Sequence, residues 1–391
     1  MAGTQNYWFE PTTGMARVID WKNADDPRDV VHIAVQAVAE GHIVAVPGDC
    51  SYLLVGSGLH INAVSRLAQI AQSDKNQHGV TLMLRSSAEL LDYFPAISPS
   101  IRRLAAKAWP GPITFDLKDS HESSLLRCLD APVIQALRQQ NTKIRTSQPS
   151  HSVFEQMGRL LSGPLVAAPA LDAKGNLARN LSHVASDGYT IAIDDGDTDA
   201  VGLPTLVEFD DNEASIAREG LLPLEYLKSL SRWTILFVCT GNTCRSPMAQ
   251  AMMNRKIAEK FGSKNSNNEL PIRAISAGVA AYGGEPASPG ASQAIKKHKA
   301  SLDTHLSSQL TREMVDHADI ILTMGGRHKH VIVSQWPSAE SKIHLISPEG
   351  AEITDPFGAP LDVYERCAQQ LDQHTDYWIN QLNVSDLIRW K

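Results

Sequence analysis

The run Thr234–Ala251 reads TILFVCTGNTCRSPMAQA, and its reading decides the fold of the C-terminal part of the chain. An apolar strand ends at Cys239, a tight loop follows, and a helix is expected to open after Ser246 with Pro247 at its first position. Proline's fixed φ is preorganised for that place. Loop amides and a helix N-terminus together make an anion cradle. Gly241 is expected to let the backbone turn and approach a ligand closely. Arg245 supplies a planar fork able to hold two phosphoryl oxygens at once.

The same field acts on the thiol. A free cysteine has a pKa near ~8.5, and a helix N-terminus with a nearby cation can lower it to roughly 3.5–7.5. The expectation is therefore a Cys239 thiolate at neutral pH, in line to attack phosphorus. Ser246 is placed to hydrogen-bond that sulfur, and Asn242 to hold the loop through side-chain to backbone bonds. An isolated C-x5-R match reads as an ordinary strand-to-helix turn. Here strand, cysteine, glycine, arginine, serine and helix start all occur in order.

Outward from this run, short apolar stretches alternate with helical patterns. Strands are expected at Thr234–Cys239, Ile272–Ser276, Asp319–Met324 and Ile343–Ile346. Helices are expected at Pro247–Phe261, Pro289–Lys297, Arg312–His317 and Leu361–Leu382, the last with Val363, Cys367, Leu371 and Trp378 as its apolar face. The alternation predicts an α/β fold: a doubly wound, four-stranded parallel sheet with helices on both faces. Ligands bind such sheets at the carboxyl ends of the strands.

The signature resembles that of the low-molecular-weight protein tyrosine phosphatase family, whose loop reads C-x-G-N-x-C-R-S-P. Ser276-Ala277-Gly278, Thr304-His305 to Leu310, Ile321-Leu322-Thr323-Met324 and Asp355-Pro356-Phe357-Gly358 are similar to further family blocks in the same order. The resemblance implies a protein phosphatase acting through a phosphocysteine, with Cys239, Arg245 and Asp355 catalytic and Asp355 as general acid and base. Thr240, Gly241, Asn242, Thr243, Cys244 and Ser246 would bind the substrate, and Ser276 and His305 would support the loop. It also implies that oxidised Cys239 can be captured as a disulfide with Cys244.

Three groups share this architecture: tyrosine phosphatases, arginine phosphatases and arsenate reductases. The last carry further redox cysteines downstream, whereas only Cys367 follows Cys244 here. Thr243 stands where tyrosine-specific members commonly carry a larger aliphatic residue, and C-T-G-N-T-C-R-S-P-M-A is similar to bacterial arginine phosphatases. Phe357-Gly358 replaces the paired tyrosines common in tyrosine-specific relatives. Phosphoarginine is the favoured substrate, phosphotyrosine the alternative.

The whole chain has 391 residues, which suggests two domains. The boundary is expected within Glu219–Arg232, giving domains at 26–222 and 231–391. Hydrophobic content of 43% and charged content of 20% are globular, and a net charge of −7 without a basic run weighs against nonspecific nucleic-acid binding. The stretch Met1–Met15, with Trp8, Phe9 and Pro11, has no apolar h-region, and nothing approaches the ~18 apolar residues of a membrane span. Five cysteines in this length fit a reducing cytoplasm. No metal cluster is apparent, and no cofactor is expected.

The N-terminal half reads as mixed α/β, with a helical run Val30–Glu40 leading through Gly41 into a strand Ile43–Pro47. Trp109-Pro110-Gly111-Pro112-Ile113-Thr114 is similar to the W-P-G-P-x-T signature of YrdC-like threonylcarbamoyl-adenylate synthases. Pro47, Asp49 and Tyr52 fall in that family's P-T-D-T-x-Y block, and Gly202 to Val207 and Arg218-Glu219-Gly220 resemble its closing blocks. Two departures matter. Ala71–His78 lacks the K-x-R expected to hold nucleotide phosphates, and Pro169-Ala170-Leu171 replaces S-A-N. The resemblance with these losses implies a retained fold without synthase activity. The half would then be a binding module for a nucleotide, RNA or a protein substrate, with an inert packing partner and a threonylcarbamoyl-adenylate synthase module as the alternatives.

Overall fold

The computed structural model describes residues 16–75, 77–139, 142–185, 188–262, 270–382 and 387–391. The readings that fall on Trp8, Phe9, Pro11 and Asn76 lie outside the described residues. The chain divides into two compact units: one runs to Ser98 and continues through Ala108–Leu224 and Trp390–Lys391, the other holds Pro99–Lys107 and Glu225–Arg389. Among the described residues no helix is long and apolar enough to cross a membrane.

The first unit is built on a mixed sheet. Val44–Pro47 pairs antiparallel with Tyr52–Ser57, which pairs antiparallel with Leu165–Pro169, while Ile113–Leu117 runs parallel to Thr205–Asp210. The helix expected over Val30–Glu40 starts earlier, at Pro27, because the Asp26 carboxylate accepts the Arg28 amide at 2.9 Å and caps it. Its buried residues Val30, Val31, Ala34, Ala37 and Val38 recur at helical spacing and pack with Val44, Val46 and Val55 of the sheet.

The second unit is the doubly wound fold. Its elements are β1 (Trp233–Cys239), α1 (Arg245–Phe261), β2 (Ile272–Gly278), α2 (Pro289–Ala294), α3 (Arg312–His317), β3 (Ile320–Thr323), α4 (Gly326–Gln335), β4 (Ile343–Leu345) and α5 (Leu361–Gln381). The strands lie in the order β2-β1-β3-β4, all parallel. Successive side chains of a strand point to opposite faces. In β1, Ile235, Phe237 and Cys239 pack with Met248, Met252 and Leu371 of α1 and α5. Leu236 and Val238 pack with Val315 of α3 and Ile332 of α4 on the other face. A strand covered on both faces must be apolar at every position, which is why ILFV precedes the cysteine. The chain leaves β1 for β2 on one side and returns to β3 on the other, so a crevice opens at the carboxyl end of β1.

Several expected boundaries move. α1 begins at Arg245, not after Ser246, so Pro247 is its third residue. The first four amides of a helix have no intrahelical acceptor, so a proline there costs no bond. Pro289–Lys297 is an α-helix only to Ala294 and continues as a 3-10 turn over Ile295–His298. The apolar face of α5 is Tyr364, Cys367, Ala368, Leu371, Thr375 and Ile379, with Val363 and Trp378 half-buried beside it. α4 was not anticipated: its opening GRHKH is polar, and its buried pair is His328 and Ile332.

Candidate active site

Cys239 ends β1 and is 3% exposed. Its Sγ lies 2.9 Å from Ser246 Oγ and accepts the Asn242 amide at 3.3 Å. The sharp turn of the loop falls on Asn242, at φ 57°, and not on Gly241, which has no positive φ. Asparagine tolerates the left-handed region because its short polar side chain can bond locally. Gly241 contributes open space instead, since a Cβ there would meet only Thr243 Oγ1 at 3.8 Å.

Asn242 binds the loop together in four directions. Its Nδ2 donates to Ser246 Oγ at 2.9 Å and Ser276 Oγ at 2.8 Å. Its Oδ1 accepts the Ser308 amide at 2.8 Å, and its carbonyl oxygen lies 2.8 Å from His305 Nε2. Ser276 Oγ in turn donates to Gln250 Oε1 at 2.6 Å. Both residues expected to support the loop, Ser276 and His305, are therefore brought to it. Gly278 backs the same turn: a Cβ there would stand 2.5 Å from the Thr240 carbonyl oxygen and 3.0 Å from the Asn242 amide nitrogen.

Arg245 is buried and its fork is oriented by two acceptors, the Ile353 carbonyl at 3.1 Å and Asp355 Oδ2 at 2.5 Å. Its Nε is buried with no partner among the described residues. The Asp355 side chain is 48% exposed and accepts the Phe357 amide at 3.3 Å through Oδ1. Phe357 is 73% exposed and belongs to no core. Cys244 follows in the same loop and is buried. Its thiol donates to Ser288 Oγ at 3.1 Å, with Thr243 Oγ1 at 3.7 Å and the Tyr364 hydroxyl at 3.9 Å. All five cysteines are free.

The electrostatics correct one expectation. Burial pushes the Cys239 thiol up from its ordinary value, against the lowering effects of Ser246, the Asn242 amide and Arg245. Desolvation disfavours the charged form of a thiol, and the guanidinium that should oppose it is paired with Asp355. The sequence showed the helix terminus and the cation but not how deeply the sulfur is buried.

Three contacts to the loop carry no signal in the loop sequence: the Ile353 carbonyl on Arg245, Ser288 on Cys244, and His328, whose Nε2 lies 3.0 Å from Thr240 Oγ1. His328 follows β3 closely, at the carboxyl end of a strand beside β1, and that position was its one available clue. Among the described residues no group of three His, Cys, Asp or Glu could hold a metal.

In the first unit, a cavity of about 70 Å³ is lined by Asp49, Cys50, His78, Thr114, Ser147 and Pro169 among others. Asp49, the W-P-G-P-x-T block and the Pro169 segment thus meet at one place. No lysine or arginine is among the described residues that line it.

Residues 234–386 match the low molecular weight phosphotyrosine protein phosphatase family, and residues 36–220 match the Sua5/YciO/YrdC family, described as telomere recombination. A protein-arginine-phosphatase of Bacillus subtilis is 37% identical over 143 residues, 36% of this chain and 89% of that protein. One of Geobacillus stearothermophilus is 39% identical over 157 residues, 39% of this chain and 97% of its own. A probable low molecular weight protein-tyrosine-phosphatase EpsP of Ralstonia solanacearum is 33% identical over 152 residues, 39% of this chain and 97% of that protein. Among solved structures, the arginine phosphatase YwlE from Geobacillus stearothermophilus is 36% identical with a TM-score of 0.33, over 38% of this chain and 92% of that one. Through its C-terminal unit the chain belongs to the low molecular weight phosphotyrosine protein phosphatase family. It is a cysteine-dependent protein phosphatase fused to a YrdC-like N-terminal half.

Proposed function

We propose that residues 231–391 form a domain that hydrolyses phosphorylated protein side chains with Cys239 as nucleophile, Arg245 as phosphoryl holder and Asp355 as acid and base, and that phosphoarginine is its preferred substrate. One observation carries this reading: the Cys239 sulfur, the Arg245 fork and the Asp355 carboxylate are joined through one loop, by contacts of 2.9 Å to Ser246 and 2.5 Å across the ion pair. The amides of the Thr240–Ser246 loop and the Arg245 guanidinium hold the phosphoryl oxygens. Cys239 as thiolate attacks phosphorus, the bond to the leaving group breaks, and Asp355 gives that group its proton. Water then attacks the phosphocysteine, Asp355 takes its proton, and phosphate leaves with the thiolate restored.

Thr243 supports the arginine preference, being half-buried beside the loop with its hydroxyl 3.7 Å from Cys244. The protein-arginine-phosphatases among the relatives point the same way. The test compares kcat/KM on phosphoarginine and phosphotyrosine peptides with a Cys239→Ser control. A phosphoarginine preference lost with Cys239 is expected; a phosphotyrosine preference keeps the mechanism and overturns the specificity.

The N-terminal half, residues 26–222, is proposed as a nucleotide- or RNA-binding module that has lost adenylate synthesis. The stretch Ala71–His78, which lacks the K-x-R pattern, supports the loss, because phosphate recognition depends on such partners. Pyrophosphate release from ATP and threonine would overturn it.

A further inference from the structure

The phosphate loop is braced unevenly. Asn242 ties its middle to Ser246, Ser276, Ser308 and His305. Thr240, the first residue after the nucleophile, lies outside that brace, with its carbonyl accepting the Ala280 amide at 2.9 Å. Its side chain is exposed, yet its hydroxyl is held at 3.0 Å by His328 Nε2. His328 arrives from the opposite side, in the first turn of α4. It is 7% exposed, and its Nδ1 is buried without a hydrogen bond. At the same helix start Glu352 Oε1 accepts the Gly326 amide at 3.0 Å.

We propose that His328 is a positioning residue of the phosphatase reaction: through Thr240 it fixes the first peptide of the phosphate loop, and it does so as a neutral ring. Burial holds the imidazole below its ordinary value and Arg245 adds to this, while a backbone group of Gly325, Asp355 and Glu352 oppose it. Neutral imidazole offers one donor and one acceptor; the protonated ring offers two donors. Protonation, which burial displaces to more acid conditions than an ordinary histidine needs, therefore forces the Thr240 hydroxyl to act as acceptor and adds positive charge beside Arg245. The consequence is tighter anion binding in acid, with the Thr240 hydroxyl confined to the acceptor role. This inference rests on the reading of Cys239 as nucleophile.

The experiment compares His328→Ala, His328→Asn, Thr240→Val and the His328→Ala/Thr240→Val double variant in the full chain. One neutral hydrogen bond corresponds to about 3–10-fold in rate. His328→Ala and Thr240→Val are each expected to lower kcat/KM on p-nitrophenyl phosphate by about that factor, the double variant no further than the worse single one. His328→Asn, which keeps a side-chain donor and acceptor, should recover most of the loss at neutral pH. The second readout is protection of Cys239 from iodoacetamide by sulfate, followed at the Cys239 peptide. Sulfate does not titrate between pH 5 and 8, so only protein groups move the curve. The wild-type chain should bind sulfate more tightly than His328→Asn as pH falls through the His328 ionisation, and equally above it. Multiplicative losses, or superimposed pH curves for the two proteins, overturn the proposal. A wild-type chain that hydrolyses neither p-nitrophenyl phosphate nor phosphoarginine and phosphotyrosine peptides defeats the proposed function, and the sulfate curves still decide the role of His328.

Discussion

The Arg245 guanidinium, through Nη2, donates to Asp355 Oδ2 at 2.5 Å, while its Nη1 is spent on the Ile353 carbonyl. The group proposed to hold the phosphoryl oxygens and the group proposed to move the proton are thus partners of each other. In the proposed reaction a phosphoryl dianion and the Asp355 carboxylate would compete for the same guanidinium, and substrate entry would free Asp355 for proton transfer.

Asp355→Asn should therefore slow turnover by about 10²–10⁴ and at the same time tighten binding of inorganic phosphate, because the competitor is gone. It should also move the pH midpoint of Cys239 alkylation downward. Burial holds the thiol up and Arg245 lowers it; a guanidinium relieved of its carboxylate lowers it further, so the reactive thiolate persists to lower pH. Phosphate affinity at or below that of the wild-type chain would show that the ion pair does not compete.

Ser246→Ala removes the hydroxyl 2.9 Å from Cys239 Sγ. A hydrogen bond to a charged group contributes about 1.5–3 kcal/mol, so kcat/KM should fall about 10–100-fold. The alkylation midpoint should rise by about one to two units. An unchanged midpoint with reduced turnover would place Ser246 at a different step.

Asn242 does two things that substitutions can separate. Alanine at φ 57° meets a backbone penalty of about 1–2 kcal/mol, and both Ala and Gly lose the three side-chain bonds. Asn242→Gly should be more stable than Asn242→Ala by about 1 kcal/mol in chemical denaturation, while both lose most activity. Equal stability would mean that the turn relaxes when the side chain is removed.

Thr243→Ile fills the half-buried space beside the loop. Phosphoarginine kcat/KM should fall relative to phosphotyrosine by about tenfold or more, the scale of discrimination by shape in a pocket. An unchanged ratio would take specificity away from this position.

Peroxide treatment of Cys244→Ser should cause loss that thiol does not reverse, whereas the wild-type chain recovers. Sulfenic Cys239 and the Cys244 thiol condense to a disulfide with release of water, which halts further oxidation. The thiol hydrogen bond of Cys244 to Ser288 must break for that to occur. Ser288→Ala should accordingly speed disulfide formation in the wild-type background.

The chemistry proposed for this site was legible because Cys239, Asn242, Arg245 and Ser246 all fall within the one short segment Cys239–Ser246, and an apolar strand runs straight into it. Ser276, His305 and Asp355 were legible only through the family resemblance, since a lone histidine or an Asp-Pro turn means little alone. His328 and the Ile353 carbonyl reach the loop across 88 and 108 residues, and no local pattern encodes such a meeting. Glycine is the default for a positive φ, so the turn was expected at Gly241; the side-chain bonds of Asn242 outweighed that default. The direction of the Cys239 ionisation was missed for a related reason. A sequence shows which charges lie near a thiol, but its depth depends on α1 and α5 closing over one face of the sheet.

Gly278 gives the S-A-G segment a meaning beyond family likeness. Its backbone has no positive φ, so freedom of rotation is not what the position needs. What it needs is thinness: β2 and the phosphate loop pass so closely that only a hydrogen fits where a Cβ would stand 2.5 Å from the Thr240 carbonyl. That single hydrogen works as a shim, setting the gap between two backbones at the loop proposed to receive the phosphoryl group. Even an alanine at this position would have to push the loop outward, and the catalytic geometry would loosen with every contact residue still in place.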